Sequence, residues 1–208
     1  MDAARTYYTA LESAVGIEDY ETATKICHRA LAAGGAQHFW KTQLGYVCFL
    51  NEKDAEAYYN QAPSIFGWLV VTFPADENAW FWLGYLNDIV LDNQEHARTQ
   101  LREALKLDTN HPYANLVLAG IVDPLESIKL LRRTLTRQPA NFRALHQLAD
   151  ILSSINKEEQ AEILMLMLQE EVYVEKDYGI MNSYMNDVFI GVMRVDAWRA
   201  AARAQLGR

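Results

Sequence analysis

The chain has 208 residues, of which 50% are hydrophobic and 22% charged, so it can form one compact domain or one short repeat array. Its formal net charge of -8 argues against binding nucleic acid or an anionic membrane surface, because both need clustered Lys and Arg. No apolar core of signal-peptide type opens the chain, and its most apolar run, SIFGWLVVTF, is too short to span a bilayer, so we expect a cytoplasmic protein.

The first two predicted helices set a spacing that returns near the end of the chain. Apolar or small residues in both places are separated by the same intervals of three, one, three, nine, four and three. Such agreement is hard to obtain by chance in unrelated helices, so it predicts an internal repeat. The two sets are Tyr7, Ala10, Leu11, Ala14, Ala23, Cys27 and Ala30, and Leu145, Leu148, Ala149, Leu152, Ala161, Met165 and Leu168.

The sequence also predicts where helices begin and where paired helices lie close together. Asp19 precedes the second helix and can cap its first amides. Gly45 and Gly84 lie on first helices, where a missing side chain lets the second helix of the pair approach. Strand signals are nearly absent, since neither sustained alternation nor a short hairpin turn is found. The chain is therefore predicted to be all-α.

The repeat resembles the tetratricopeptide repeat, whose pattern is W-x2-L-G-x2-Y followed by A-x3-F and P. The best match is the third unit, in which Trp80, Leu83 and Gly84 precede Ala97, Leu101 and Ala104. The resemblance implies a right-handed α-solenoid of about five such helical hairpins with C-terminal capping helices. Two units depart in length: the second carries extra residues around NEKDAEAYYN, and the fourth cuts its turn to little more than Asp123 and Pro124.

We expect the array to span residues 1–170 and a helical cap to span residues 171–208. The second helix of the last unit is apolar without a break from Ile163 to Leu168, so the residues after it must cover it. YGIMNSYMNDVFIGVM and DAWRAAARAQL are each predicted to be helical and to supply this cover. The expected units are about 4–37, 38–76, 77–111, 112–141 and 142–170.

One helix, NAWFWLGYLND, is apolar on two faces, which is more than a single packing seam needs. The resemblance implies that first helices line a concave inner surface, so its second face is expected to point into a groove. Interface centres are rich in aromatic residues, and leaving this surface open would promote aggregation. The predicted partner-binding groove consists of Tyr8, Phe39, Thr42, Tyr46, Phe49, Phe81, Trp82, Tyr85, Tyr113 and His146.

The sequence allows three different occupants of the groove. The first is a segment of another protein, anchored by apolar or aromatic side chains and neutral or basic in charge. The second is the chain's own C-terminal helices, and the third is a second copy. Some proteins of this family grip acidic chaperone tails with Lys, Asn and Arg. Here the corresponding positions include Tyr8, Glu12 and Thr42, so that clamp is missing.

The sequence offers little for catalysis. It has no glycine-rich phosphate loop, nucleophile elbow or zinc-protease motif, and its five histidines are dispersed without ligand spacing. Cys27 and Cys48 fall at apolar helix positions and are expected to be buried free thiols. We therefore expect no enzyme, cofactor or metal. The expected function is a protein-protein interaction scaffold, adaptor or chaperone-like module, and the alternative is a structural subunit of a stable assembly.

Overall fold

The structure is a computed structural model that describes residues 3–54 and 59–207. Within these ranges it contains twelve α-helices and no strand, which confirms the all-α prediction. The α-helices are α1 (Ala3–Gly16), α2 (Tyr20–Ala32), α3 (Gln37–Leu50), α4 (Ala62–Thr72), α5 (Glu77–Ile89), α6 (Gln94–Leu107), α7 (Pro112–Ala119), α8 (Pro124–Arg137), α9 (Phe142–Ile155), α10 (Lys157–Gln169), α11 (Asn182–Tyr184) and α12 (Val195–Gln205).

The helices pack as consecutive pairs. Helices α1 and α2, α3 and α4, and α5 and α6 form the hairpins of one compact unit, Met1–Leu107. Helices α7 and α8, and α9 and α10, form those of a second compact unit, Asp108–Arg208. The pairing of adjacent helices confirms the predicted hairpin architecture. The expected boundary between a repeat array and a cap at residue 170 stays a prediction.

Short polar side chains fix where many of the helices begin. The Asp19 carboxylate accepts a hydrogen bond from the Thr22 amide at 3.1 Å, which confirms the predicted cap of α2. A side-chain cap satisfies one of the backbone amides that a helix start leaves without a partner, and it typically stabilises the helix by about 1 kcal/mol. The same role is played by Asp76 at α5, His111 at α7, Asp123 at α8, Asn141 at α9 and Asn156 at α10.

Two glycines allow the paired helices to lie close together, as the sequence predicts. A Cβ added to Gly45 would come within 2.7 Å of the Phe66 ring, which belongs to the second helix of the same pair. A Cβ added to Gly84 would come within 2.8 Å of Leu101 Cγ. Neither distance is compatible with ordinary van der Waals contact, so a side chain at either position would require the Phe66 ring or Leu101 to shift.

The second and fourth hairpins are irregular where the sequence indicated unusual lengths. Short 3₁₀ turns at Glu52–Asp54 and Tyr59–Gln61 precede α4, and the middle of NEKDAEAYYN lies outside the described residues. Helix α7 has only eight residues. Asp123 accepts hydrogen bonds from the first amides of α8 within four residues of the end of α7, so the turn is indeed short.

The C-terminal segment differs from its prediction in one respect. Residues 178–193 do not form one regular α-helix. A 3₁₀ turn, α11, a π-helical segment over Met185–Ile190 and a second 3₁₀ turn follow one another, with Gly191 at φ +82° ending the π-helix. Of the two helices predicted for the C-terminal segment, only the second forms a regular α-helix, which is α12. It packs against α10. That residues 171–208 form a cap stays a prediction.

Candidate protein-binding site

The aromatic residues of α3, α4 and α5 form one cluster around Trp82. The Trp82 ring centroid lies 5.2 Å from that of Tyr46, 5.7 Å from that of Phe49 and 5.9 Å from that of Phe66, with Phe66 stacked on it. Trp82 is 0% exposed. The indole therefore lies in the seam between the second and third hairpins, and the second apolar face of α5 packs against the chain itself.

The structure corrects the expectation that the predicted groove residues are open to a partner. Six of the ten are buried in the folded chain, because neighbouring parts of the chain pack on the face that the sequence assigned to a hollow. Burial in this cluster raises the pKa of the Tyr46 hydroxyl, and the negative charge of Asp76 adds to the effect. The buried residues are Tyr46, Phe49, Phe81, Trp82, Tyr85 and Tyr113.

Three predicted site residues remain accessible on α1 and α3, and we call them the aromatic ledge: Tyr8, Phe39 and Thr42. The rings of Tyr8 and Phe39 lie 5.6 Å apart and tilted by 55°, and Phe39 is 41% exposed while Tyr8 is half-buried. Thr42 lies one turn after Phe39, half-buried, with its hydroxyl donating to the His38 carbonyl at 2.9 Å. The ledge thus offers two aromatic faces, with the Thr42 hydroxyl already bonded within its own helix.

Acidic groups flank the aromatic ledge. Glu12 lies one turn after Tyr8, and burial together with this carboxylate raises the pKa of the Tyr8 hydroxyl. On the other side, His38 Nε2 lies 2.6 Å from Asp76 Oδ2. Residues 1–107 contain 14 Asp and Glu against 8 Lys and Arg. The electrostatic environment therefore favours a neutral or cationic group over an anion.

Two of the ten site residues, His146 and the buried Tyr113, lie in the second unit, where the C-terminal segment contacts them. The Tyr113 ring contacts those of Tyr178 and Phe189, each with centroids 5.5 Å apart. The His146 ring stacks on the indole of Trp198 in α12 at 4.7 Å. Within this unit, residues of the chain itself occupy the faces of α7 and α9 that the sequence analysis assigned to a groove.

A buried carboxylate, Glu175, holds the start of this covering segment. It is 4% exposed and accepts hydrogen bonds from the Tyr113 hydroxyl and from the amides of Lys176 and Asp177, the latter two at 2.8 and 2.9 Å. Gln138 donates to the Tyr113 oxygen at 3.0 Å. Sequence reasoning missed Glu175 because it looks like one more surface acid. Its one signal is its place between the apolar run VYV and Tyr178.

The two cysteines are free and buried, as predicted. Burial raises the pKa of the Cys27 thiol to about 12 and that of the Cys48 thiol to about 11. The negative charge of a Cys48 thiolate adds to the shift at Cys27. Both thiols therefore stay protonated at neutral pH and are poor nucleophiles.

Comparison with solved structures shows which proteins share this fold. Two crystal structures of MamA match with a TM-score of 0.60 each. At 16% identity one match covers 88% of this chain and 92% of MamA, and at 19% identity the other covers 80% and 92%. Yeast Tom70 matches with a TM-score of 0.65 and 14% identity over 96% of this chain, which spans 40% of the Tom70 chain. No family model and no curated protein matches the sequence.

MamA and Tom70 both contain tetratricopeptide repeats, so the likeness establishes a tetratricopeptide-like fold of helical hairpins for this chain. At these identities the likeness concerns the fold alone. Among the helices of residues 3–54 and 59–207, none combines the length and the apolar character needed to cross a bilayer.

Proposed function

We propose that this protein is a non-enzymatic protein-binding module, an adaptor or chaperone-like scaffold, and that the aromatic ledge of its first unit holds a segment of the partner. The observation that carries the proposal is the ring pair of Tyr8, which is half-buried, and Phe39, which is exposed. Of the ten residues that the sequence selects, six are buried, and Tyr113, one of those six, and His146 are contacted by the chain's own C-terminal rings. The ledge keeps accessible aromatic surface that the C-terminal rings do not contact.

The chemistry of the ledge selects the partner. Aromatic faces bind aliphatic, aromatic and cationic side chains, and a cation over a ring gains about 0.5–2 kcal/mol. The carboxylate of Glu12 disfavours an acidic ligand beside Tyr8. A segment with one apolar anchor and a neighbouring Lys or Arg fits this surface. The sequence carries no glycine-rich phosphate loop, nucleophile elbow or zinc-protease motif, which favours binding over catalysis.

Peptide selection tests the proposal directly. Peptides are selected on the wild-type protein from a random library with counter-selection on the Tyr8→Ala, Phe39→Ala double variant, and their affinities are then measured by fluorescence anisotropy. We expect peptides with an apolar anchor next to Lys or Arg, bound about tenfold or more weakly by the double variant. Ile17→Ala serves as a matched control, because Ile17 is 77% exposed in the same unit and away from the ledge residues in sequence.

Two results would overturn this function. One is a selection that enriches no peptide, and the other is a set of peptides that the double variant binds as tightly as the wild type does. The competing function is a structural subunit of a stable assembly or homo-oligomer, favoured by the self-covered faces of α7 and α9 in the second unit. Mass measurement by light scattering distinguishes the two, since an adaptor is expected to be a stable monomer and a subunit an obligate oligomer.

A further inference from the structure

An apolar hollow lies on the second unit, on the side formed by the second helix of the fourth hairpin. Helix α8, the end of α9 and the start of α10 line a depression of about 320 Å³. Its apolar lining consists of Leu125 and Ile128 from α8 and Leu152 and Ile155 from α9, and these four residues define the hollow. None of them belongs to the aromatic ledge, so the hollow is a separate surface.

The hollow is open to solvent. Leu125 is 67% exposed and Ile155 is 51% exposed, whereas Leu152 and Ile128 form a floor with 1% and 8% exposure. Single exposed leucines are ordinary on protein surfaces, but a concave apolar patch with two half-open aliphatic walls is typical of an interaction site. A pocket for a small molecule encloses most of its ligand, so this open shape favours a side chain presented by a larger partner.

Basic residues outnumber acidic ones at the hollow, in a protein that is acidic overall. Helix α8 carries four Lys and Arg and one Glu, while the chain has a net charge of -8. Lys129 and Arg132 both line the hollow. Glu159 lines it too and is paired with Arg132, so these two charges offset each other. Lys129 is exposed and has no carboxylate within ion-pair distance among the described residues, so its charge is available to a ligand.

Arg133 extends this basic character along the helix. It lies four residues after Lys129, so both side chains point to the same side of α8, and it too has no carboxylate partner in the described part of the chain. The last arginine of the helix, Arg137, is paired with Asp108 at 2.7 Å. Two unpaired cations thus lie along α8, one of them at the edge of the hollow.

We propose that the hollow binds a leucine- or isoleucine-like side chain from an acidic segment of another protein, whose carboxylate pairs with Lys129. The apolar floor supplies the anchor, and the unpaired charge of Lys129 selects acidic over basic neighbours of that anchor. The hollow thus favours an acidic ligand, whereas the aromatic ledge favours a neutral or basic one. The hollow can therefore bind a partner whether or not the proposed function of the ledge is correct.

Methyl NMR with defined peptides tests this inference. The probe is an acidic helical peptide with leucines four residues apart and glutamates flanking them, titrated to about 1 mM into protein carrying labelled Ile and Leu methyl groups. We expect shifts at Leu125, Ile128 and Ile155 methyls on binding. A matched peptide with Lys in place of Glu, and one with Ser in place of Leu, are expected to bind at least about tenfold more weakly.

Variants locate the binding on the protein. Lys129→Glu and Ile155→Ser are both exposed changes, and each is expected to weaken binding of the acidic peptide by about tenfold. Ile17→Ser, an exposed change in the first unit, is the matched control and is expected to leave the affinity unchanged. Unaltered thermal unfolding shows that each variant is folded.

Four results would overturn the inference. These are no binding of the acidic peptide at about 1 mM, equal binding of the basic peptide, affinity that Lys129→Glu and Ile155→Ser leave unchanged, and methyl shifts away from the hollow. Binding of a free aliphatic carboxylate as tightly as the peptide would instead identify a small-molecule site and would also contradict the proposal.

Discussion

The hydroxyl of Tyr113 donates a hydrogen bond to the carboxylate of Glu175, which lies 62 residues later in the chain. Both side chains are buried, and the bond joins the start of α7 to the extended segment before α11. Burial, together with this carboxylate, raises the pKa of the Tyr113 hydroxyl, so the phenol remains a donor throughout the physiological range. A buried carboxylate needs such donors, because losing one costs more than an ordinary hydrogen bond gains.

Tyr113→Phe is therefore expected to destabilise the protein by about 1–3 kcal/mol, because it removes a donor to Glu175 and an acceptor for Gln138 while keeping the ring contacts. Urea unfolding measures the loss. Hydrogen exchange is expected to quicken most in residues 171–190, the segment that the bond holds. Tyr20→Phe is the control, because Tyr20 is only half-buried. The free energy of unfolding of this variant is expected to stay within about 0.5 kcal/mol of that of the wild type. Equal stability of Tyr113→Phe and the wild type would contradict this role.

Alanine substitutions of Trp82 and Phe39 are expected to differ in their effect on stability, because Trp82 lies in the core and Phe39 lies at the surface. Trp82→Ala removes a fully buried indole from the seam between the second and third hairpins, and we expect a loss of about 3–5 kcal/mol. Phe39→Ala truncates a ring that is 41% exposed, so its loss is expected to be about 1 kcal/mol or less. Differential scanning calorimetry compares the two. Similar melting temperatures for Trp82→Ala and the wild type would show that the indole is not part of the core.

The helices and their pairing were predictable because each depends on local pattern. The repeated intervals place apolar residues on one helix face, Asp19 marks a helix start, and Gly45 and Gly84 mark close approach. These signals lie within one hairpin. They are read from neighbours in sequence, so tertiary context changes them little.

The exposure of the site residues was not predictable in the same way. The sequence shows that α5 has two apolar faces, but Phe66 lies 16 positions before Trp82 and its stacking depends on how neighbouring hairpins tilt. The burial of Glu175 likewise depends on Tyr113, a partner that no local pattern indicates. Accessibility is set by contacts between repeats, so only the structure separates the accessible ledge residues from the buried ones.

Substitution of Gly84 and of Gly67, both in the first unit, is expected to change stability in opposite directions. In Gly84→Ala the new methyl would lie 2.8 Å from Leu101 Cγ and 3.1 Å from the Leu101 amide nitrogen, so overpacking is expected to cost about 1–3 kcal/mol. In Gly67→Ala, within α4, nothing lies within 4 Å of the added methyl. That change is expected to stabilise the protein by about 0.5–1 kcal/mol, because Ala loses less backbone entropy in a helix. Urea unfolding of both variants measures the change in the free energy of unfolding. If both changes have the same sign, the close contact at Gly84 is refuted.

Stability is expected to fall at alkaline pH because of the buried thiols. In the folded protein the pKa is raised to about 12 for Cys27 and about 11 for Cys48, whereas an unfolded thiol titrates near about 8.5. The unfolded chain thus releases its protons first as pH rises. The contribution of each thiol is fully present below about pH 8.5 and is lost from there toward the folded pKa, at up to about 1.4 kcal/mol per pH unit.

Urea midpoints measured between about pH 7 and pH 11 check this decline. A Cys27→Ala, Cys48→Ala double variant is expected to lose stability less steeply as the pH rises, because it lacks the two thiols. Some loss is still expected, because burial also raises the pKa values of Tyr46 and Tyr113. In the native wild type, a thiol reagent at about pH 8 is expected to react only as fast as the protein opens, because Cys27 and Cys48 are 0% and 1% exposed. Rapid native reaction, or equal declines in the two proteins, would show that the thiols are not held in the core as the structure places them.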